Sequence, residues 1–393
     1  MSKIDELITQ YCPDGVELKE LDELLGYQQP TKFIVKSTEY DNNFVTPVLT
    51  AGQSFVLGYT NEKEGIYDAN KENPVIIFDD FTTSFHWVDF PFKVKSSAMK
   101  ILTPLANESI NFRFIYYAMK CIFYKPQDHA RQWISIYSKF QISFPPLTIQ
   151  QEIVKILDNF TSLEAELEAE LEARTRQYEF YRNQLLAFES KDVEWKTLGE
   201  VGTFTRGKRF VRTDMIEQGF PCIHYGEMYT HYNVFATESK SFVSPELASK
   251  LRVANYGDVV IVAAGETIED IGKGTAWLGD SDVVTHDACF TFKSPLNPKY
   301  VAYFLRTKLF HDQIKRHISS GKISAINAKG LATAKIPVPP LAEQERIVSI
   351  LDQFDALVND IFVGLPAEIK ARRQQYEFYR EKLLTFKELQ TIN

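Results

Sequence analysis

One block of this sequence occurs twice, and any fold for the chain has to accommodate both copies. Pro145-Pro146-Leu147 opens a run that closes with Gln177-Tyr178-Glu179-Phe180-Tyr181-Arg182 and Leu185-Leu186. Pro339-Pro340-Leu341 opens another that closes with Gln375-Tyr376-Glu377-Phe378-Tyr379-Arg380 and Leu383-Leu384. The offset is 194 residues at Ile142 and Ile336, and 198 by Tyr178 and Tyr376. Two copies at so long a period exclude a solenoid or an array. They point to duplication of a domain together with its spacer, with the halves related by a pseudo-two-fold.

Each block reads as helix. Apolar residues recur at steps of three and four, placing Ile156, Phe160, Leu163, Leu167, Tyr178 and Tyr181 on one stripe and Ile350, Phe354, Leu357, Ile361, Tyr376 and Tyr379 on its counterpart. This is the spacing of a coiled-coil seam, and the four extra residues of the second copy add a turn without leaving it. A continuous helix of about forty residues is roughly 60 Å long, more than a domain of this size is wide, so it is expected to project between domains. Two rods with the same seam are expected to pack antiparallel against each other. Pro-Pro ends whatever precedes each helix, and Thr148-Ile149-Gln150-Gln151 reads as a capping box, for which Ala342 is a poorer start. Gly364-Leu365-Pro366 should kink or split the second helix.

The segments between the blocks open alike, Gly15-Val-Glu-Leu-Lys-Glu-Leu21 against Asp192-Val-Glu-Trp-Lys-Thr-Leu198, and then diverge. Short β-rich runs (residues 43–50, 74–78 and 90–94) accompany a helix near 112–124 in the first. Runs at 258–263 and 288–292 accompany a helix at 298–314 in the second. The expected class is α+β: globular domains at 1–146 and 191–340, a central spacer helix at 147–190 and a C-terminal spacer helix at 341–393.

With 393 residues, 44% hydrophobic and 24% charged, the chain can bury two or three ordinary cores. The start, Met1-Ser-Lys-Ile-Asp-Glu, is charged from its third residue, and no stretch reaches the roughly 20 apolar residues that cross a bilayer. Cys12, Cys121, Cys222 and Cys289 form no Cys-x-x-Cys pair, which fits a reducing compartment and argues against a zinc site. A cytoplasmic protein without a bound metal is expected.

A net charge of −8 is unlike a nucleic-acid binder, but its distribution matters more than its sum. Residues 301–335 carry seven basic side chains and one acidic, and residues 101–145 carry five and two. Both stretches run up to a Pro-Pro-Leu. A single charge run is ordinarily a solvated face; its recurrence at the same place in both halves sets a phosphate-facing surface beside that reading as an equal alternative.

The Pro-Pro-Leu…Gln…Ile-Val…Leu-Asp and Gln-Tyr-Glu-Phe-Tyr-Arg blocks, with this layout, resemble the specificity (S) subunits of type I restriction-modification systems over nearly the whole chain. Thr205-Arg-Gly-Lys-Arg209, Gly257-Asp-Val-Val-Ile261 and Gly321-Lys322 extend the resemblance into the second domain. The resemblance implies two target-recognition domains, each reading half of a bipartite double-stranded DNA target and held apart by an antiparallel helical pair that docks two modification (M) subunits. Those partners would hold S-adenosylmethionine and methylate adenine. Restriction (R) subunits would add ATP- and Mg-dependent translocation and cleavage.

The chain itself lacks the motifs of catalysis. No Gly-x-x-x-x-Gly-Lys-Ser/Thr cradles a triphosphate, and Gly272-Lys273-Gly274 lacks the remaining glycine of a dinucleotide loop. The Asn/Asp-Pro-Pro-Tyr/Phe signature of amino-methyltransferases is missing. His86, His224, His231 and His286 show no metal-ligand spacing, and hydrogen-bonded structural roles are expected for them. A non-catalytic DNA reader follows. A coiled-coil scaffold without DNA affinity and a type IIB-like specificity subunit are the alternatives.

Phosphate contacts set affinity and base-edge contacts set specificity. In the second domain Arg206, Lys208, Arg209 and Arg212 crowd a glycine-containing loop. Lys273 sits between two glycines that would let backbone approach the duplex, and Arg316 and Lys322 belong to the basic stretch. In the first domain the candidates are Tyr59, Thr60, Lys63, Thr82, Thr83, Lys93, Lys95 and Arg131. Phe85 and Trp87, alternating on one strand face, are expected in the core.

Overall fold

The computed structural model describes the chain except residues 1–2, 53, 106–109, 128–129, 189–192, 320, 322, 361 and 390–393. Lys322 and Ile361 therefore lie outside the described residues. The chain divides into two compact units, residues 1–166 with 370–393, and residues 167–369.

The repeated sequence becomes a repeated frame, present once in each unit. Strand Glu17–Glu20 pairs antiparallel with Gln141–Phe144, and strand Glu194–Thr197 pairs with Lys335–Val338 in the same register. A one-turn helix follows each opening strand. Its first turn is closed by Glu23 on the Glu20 backbone N–H in one case and by Glu200 on that of Thr197 in the other, a carboxylate satisfying an otherwise orphaned donor.

The Pro-Pro blocks are tied to each unit by a matching lock. Buried Gln150 accepts from the Asn111 backbone N–H (3.0 Å) and donates to the Pro145 carbonyl (2.8 Å). Buried Gln344 does the same between Asn297 (2.9 Å) and Pro339 (2.9 Å). Asn111 and Asn297 cap the helices Phe112–Met119 and Pro298–Phe304. Four residues apart on those helices, Arg113 and Tyr117 converge on Asp158, and Lys299 and Tyr303 on Asp352. The cation also lies over an aromatic ring in each case, Arg113 over Trp87 at 4.6 Å and Lys299 over Phe235 at 3.7 Å. Gln344→Ala strips partners from a backbone donor and a backbone acceptor next to the core, at a cost of about 3 kcal/mol. Gln344→Glu keeps the acceptor but turns a carboxylate oxygen onto the Pro339 carbonyl in a buried place, so it should not restore the stability. Urea unfolding of both variants checks this, and equal stability of Gln344→Ala and the parent would refute the lock.

The β contents differ between the frames. The first unit has a four-stranded sheet, running from Leu25–Gln28 through Met99–Pro104 and Val75–Asp79 to Phe85–Val88, and a three-stranded sheet centred on Thr46–Leu49. Val75, Ile76, Ile77 and Phe78 are buried on both faces, which is why that run is continuously apolar. Phe85 and Trp87 pack on the helix Phe112–Met119, in edge and tilted contact with Tyr116 and Phe112. The second unit has two five-stranded sheets, one centred on Val259–Val262, the other on Phe220–Ile223. The expected helix at 298–314 is two, Pro298–Phe304 and Lys308–Ile314, because Thr307 caps the second.

The first Pro-Pro block forms one helix, Leu147–Leu185. It starts at Leu147, ahead of Thr148, so Thr148 falls inside the first turn and the capping box is not used. The second block is split into Leu341–Asn359 and Leu365–Leu384. Gly364 packs so closely that a Cβ would sit 2.4 Å from the Ala356 carbonyl oxygen, while Pro366 falls in a first turn, where no donor is required of it.

Within the first unit Phe160 stacks on Tyr379 (5.5 Å between ring centroids), and Glu164 pairs with Arg373. Within the second, Tyr181 stacks on Phe354 (5.4 Å), and Tyr178 donates to Asp355. A Phe–Tyr stack recurs in each unit. Ile156 and Tyr376 pack on the core of the first unit, and Tyr178 is buried in that of the second. Leu163 and Leu357 stand 44% and 37% exposed, and Leu167 and Ile350 are half-buried. The expectation of a seam through Leu357 is corrected: Ile347, Val348, Leu351 and Val358 are the buried apolar positions there.

Candidate nucleic-acid interface

In the second unit two of the predicted residues, Arg209 and Arg212, line one cleft of about 400 Å³. Strand Thr203–Arg206 leads into it. Gly207 then passes so close to the neighbouring strand that a Cβ would meet the His286 carbonyl oxygen at 2.2 Å. Its N–H donates to Cys289 O, and that of Lys208 to Thr285 O. Phe210 inserts as an anchor, buried against the rings of His224 (5.8 Å) and His286 (5.2 Å). With the backbone pinned and Phe210 turned inward, Arg209 and Arg212 are left exposed on the cleft wall. Neither forms an ion pair with a carboxylate among the described residues. Arg206 donates to Asp287 O and Lys208 to Lys250 O, so these two brace the loop. Arg252, which the sequence reading passed over, donates to Arg206 O and adds to the positive rim.

The floor is aromatic. His224 and His286 lie 4.7 Å apart, both buried, and the 37%-exposed ring of Tyr225 sits 5.0 Å from His286. Burial holds both imidazoles below their ordinary pKa, and Arg212 near His224 and Arg209 near His286 push the same way. The unfolded chain therefore takes up protons at these positions before the folded one does. Their contribution to stability is complete above the unfolded value of about 6.5 and is lost as pH falls below it. The heat-unfolding midpoint of the second unit should drop between about pH 7 and pH 5, and His224→Gln/His286→Gln should flatten that drop. An unchanged slope would refute the assignment.

Other candidates in this unit are placed differently. Lys273 is paired with Asp270 at 2.6 Å. Its flanking glycines face inward, where a Cβ on Gly272 would strike Ile314 and one on Gly274 would strike Leu305. The close approach they permit is to helices of the same unit, which corrects the reading of them as a duplex contact. Arg316 is exposed beside His317.

The first unit does not gather its candidates. Lys93, 1% exposed, is consumed by Glu62 (2.9 Å) and the Glu64 carbonyl. Thr60 and Thr83 are buried, Thr83 in a left-handed turn with φ of 58°. As phosphate contacts these three are corrected. Tyr59 is half-buried, Lys63 is exposed at a cleft bordered by Asn43 and Val45, and Lys95 reaches Tyr40 at 3.2 Å. Thr82 sits exposed in a hairpin turn, its N–H donating to the Asp79 carboxylate and its hydroxyl to Ser84 Oγ, and Arg131 lies 4.0 Å from Asp80. His86 bonds Gly52 O and stacks on Phe55, a structural role. Among the described residues no group of three or more His, Cys, Asp or Glu is placed to hold a metal, and no helix is long and apolar enough to cross a membrane.

A frame used twice around unlike β contents, one of them carrying a cleft with two exposed arginines, defines a duplicated α+β architecture, and solved structures share the fold. The S subunit of a type I restriction-modification system from M. genitalium matches with a TM-score of 0.55 and 15% identity, covering 94% of this chain and 96% of that one. A chain of a type I R-M system matches at 0.58 and 16%, covering 95% and 98%. The chain belongs to the type I restriction-modification specificity subunits: the family model described as the type I restriction modification DNA specificity domain matches residues 13–173 and 190–371. It is 39% identical to the EcoR124I/EcoR124II specificity subunit of Escherichia coli, over 100% of this chain and 99% of that one. It is 31% identical to a putative type I specificity subunit of Haemophilus influenzae, over 94% and 96%.

Proposed function

We propose that the two globular domains each read one half of a bipartite double-stranded DNA target, while the helical segments between them act as an antiparallel coiled-coil spacer and dock two M subunits. The domain bounds are those expected from the sequence, 1–146 and 191–340, with spacers at 147–190 and 341–393. The chain is non-catalytic and cytoplasmic. S-adenosylmethionine belongs to the M subunits, and ATP and Mg to the R subunits. The observation that carries this reading is the lock: the same glutamine, aspartate and capped helix hold different β contents in the two halves, as expected for one task performed on two targets. Arg209 and Arg212 supply phosphate contacts in the second domain, with Arg206 and Lys208 bracing the loop that carries them and Arg316 exposed elsewhere in the unit. Lys63, Thr82, Lys95 and Arg131 are the accessible candidates in the first.

The test is co-expression with the modification subunit followed by sequencing of methylated adenines across the host genome. A motif with two specified parts separated by unspecified bases is expected. An undivided motif, or no methylation by an assembled complex, would overturn the reading.

A further inference from the structure

Beside Arg209 and Arg212 the cleft also presents the carboxylate of Glu266. Among the described residues this side chain has no hydrogen bond and no ion pair, although two arginines share its cleft. Asp287, the other acid there, lies with a carboxylate oxygen 3.1 Å from His286 Nδ1, which accepts from the Ala288 N–H. The backbone that carries Glu266 is fixed. Strand Ala264–Gly265 pairs with Ser324–Ala325, Tyr229 donates to the Ala264 carbonyl at 3.0 Å, and a Cβ on Gly265 would lie 2.2 Å from the Tyr229 hydroxyl.

A lone carboxylate on a phosphate-facing surface repels the backbone of every DNA sequence alike. It becomes favourable only where the duplex offers a donor, and in the major groove the donors are the amino groups of cytosine and adenine. Beside the adenine amino group lies N7, an acceptor whose lone pair opposes a carboxylate. On the cytosine itself the amino group is flanked by the C5–H edge and no acceptor, the nearest acceptor being the O6 of the paired guanine. We propose that Glu266 is a specificity-determining residue that accepts a hydrogen bond from the exocyclic amino group of one cytosine in the half-site read by this unit. This rests on the DNA-reading function proposed above.

The test compares methylated-adenine motifs generated by the assembled complex of the parent, Glu266→Ala and Glu266→Gln chains. Competition binding with duplexes carrying each of the four bases at the affected position accompanies it. Glu266→Ala should relax one cytosine in one half-site, reducing discrimination there by about 10- to 100-fold and leaving the other positions intact. Glu266→Gln, which adds a donor next to the acceptor, should shift that position towards adenine, whose N6 and N7 it can engage together. Motifs identical to the parent's at every position would overturn the assignment, as would a uniform change in affinity for all sequences, the mark of charge repulsion alone. A parent complex without a bipartite motif would overturn the underlying function instead, and this assignment with it.

Discussion

Asp80→Ala should destabilise the first unit by about 3–5 kcal/mol, because it strands a buried charge that has no other ion pair among the described residues. Lys100 is fully buried, its Nζ 3.1 Å from Asp80 Oδ2 and 5.2 Å from the ring centre of Tyr27. Asp80 is equally buried. Its Oδ1 accepts from the Trp133 N–H at 2.9 Å, and its carbonyl from Gln132 at 2.8 Å. One carboxylate therefore neutralises a core lysine and holds down the segment that carries Arg131. Asp80→Asn keeps the Trp133 bond and loses the charge, so it should fall between parent and alanine. Removing both ends, as in Asp80→Asn/Lys100→Met, should recover stability relative to either single change. Hydrogen exchange across residues 75–104 reads the first unit separately from the second. Protection in Asp80→Ala within about 0.5 kcal/mol of the parent would show that the pair does not matter.

The second large effect concerns DNA. Arg209→Ala/Arg212→Ala in the assembled complex should weaken binding by about 100-fold. It should also make the slope of log affinity against log salt shallower by roughly two, one unit for each phosphate contact removed. The loss should be uniform across sequences, in contrast to that of Glu266. Lys208→Ala should act differently, since its ammonium already serves the Lys250 carbonyl and its removal loosens the loop. An unchanged salt slope in the double variant would remove these arginines from the phosphate contacts.

The frame was largely legible because it repeats. Identical blocks impose identical local chemistry, so the Pro-Pro starts, the matching strand openings and the helical character of Leu147–Leu185 could be read directly from the residues. What the blocks were for could not. Gln150 and Asp158 look like ordinary polar positions on an amphipathic helix, and only the fold shows them gripping Asn111, Arg113 and Tyr117. Lys93 was misread for a related reason: in a β-rich run a lysine signals solvent, unless a carboxylate such as Glu62 is delivered to it from elsewhere in the chain. The cleft was half legible. Its arginines cluster in sequence, whereas Tyr225, Glu266 and His286 come from three distant segments, and no spacing rule brings such residues together.

The composition of the first unit has a bearing on how the chain is made. Residues 167–369 form a compact unit from one uninterrupted stretch, but residues 1–166 are completed by residues 370–393. Leu383 enters the same apolar cluster as Ile149 and Leu157, and Tyr376 packs beside Tyr117. The backbone N–H of Val16 donates to Lys387 O, against a Gly15 whose φ of 117° suits no bulkier residue. A ribosome delivers the last of these pieces long after the first, so the half that is translated earliest is sealed latest. In the interval its apolar flank is bare, a window in which chaperones or a newly made companion subunit can engage it.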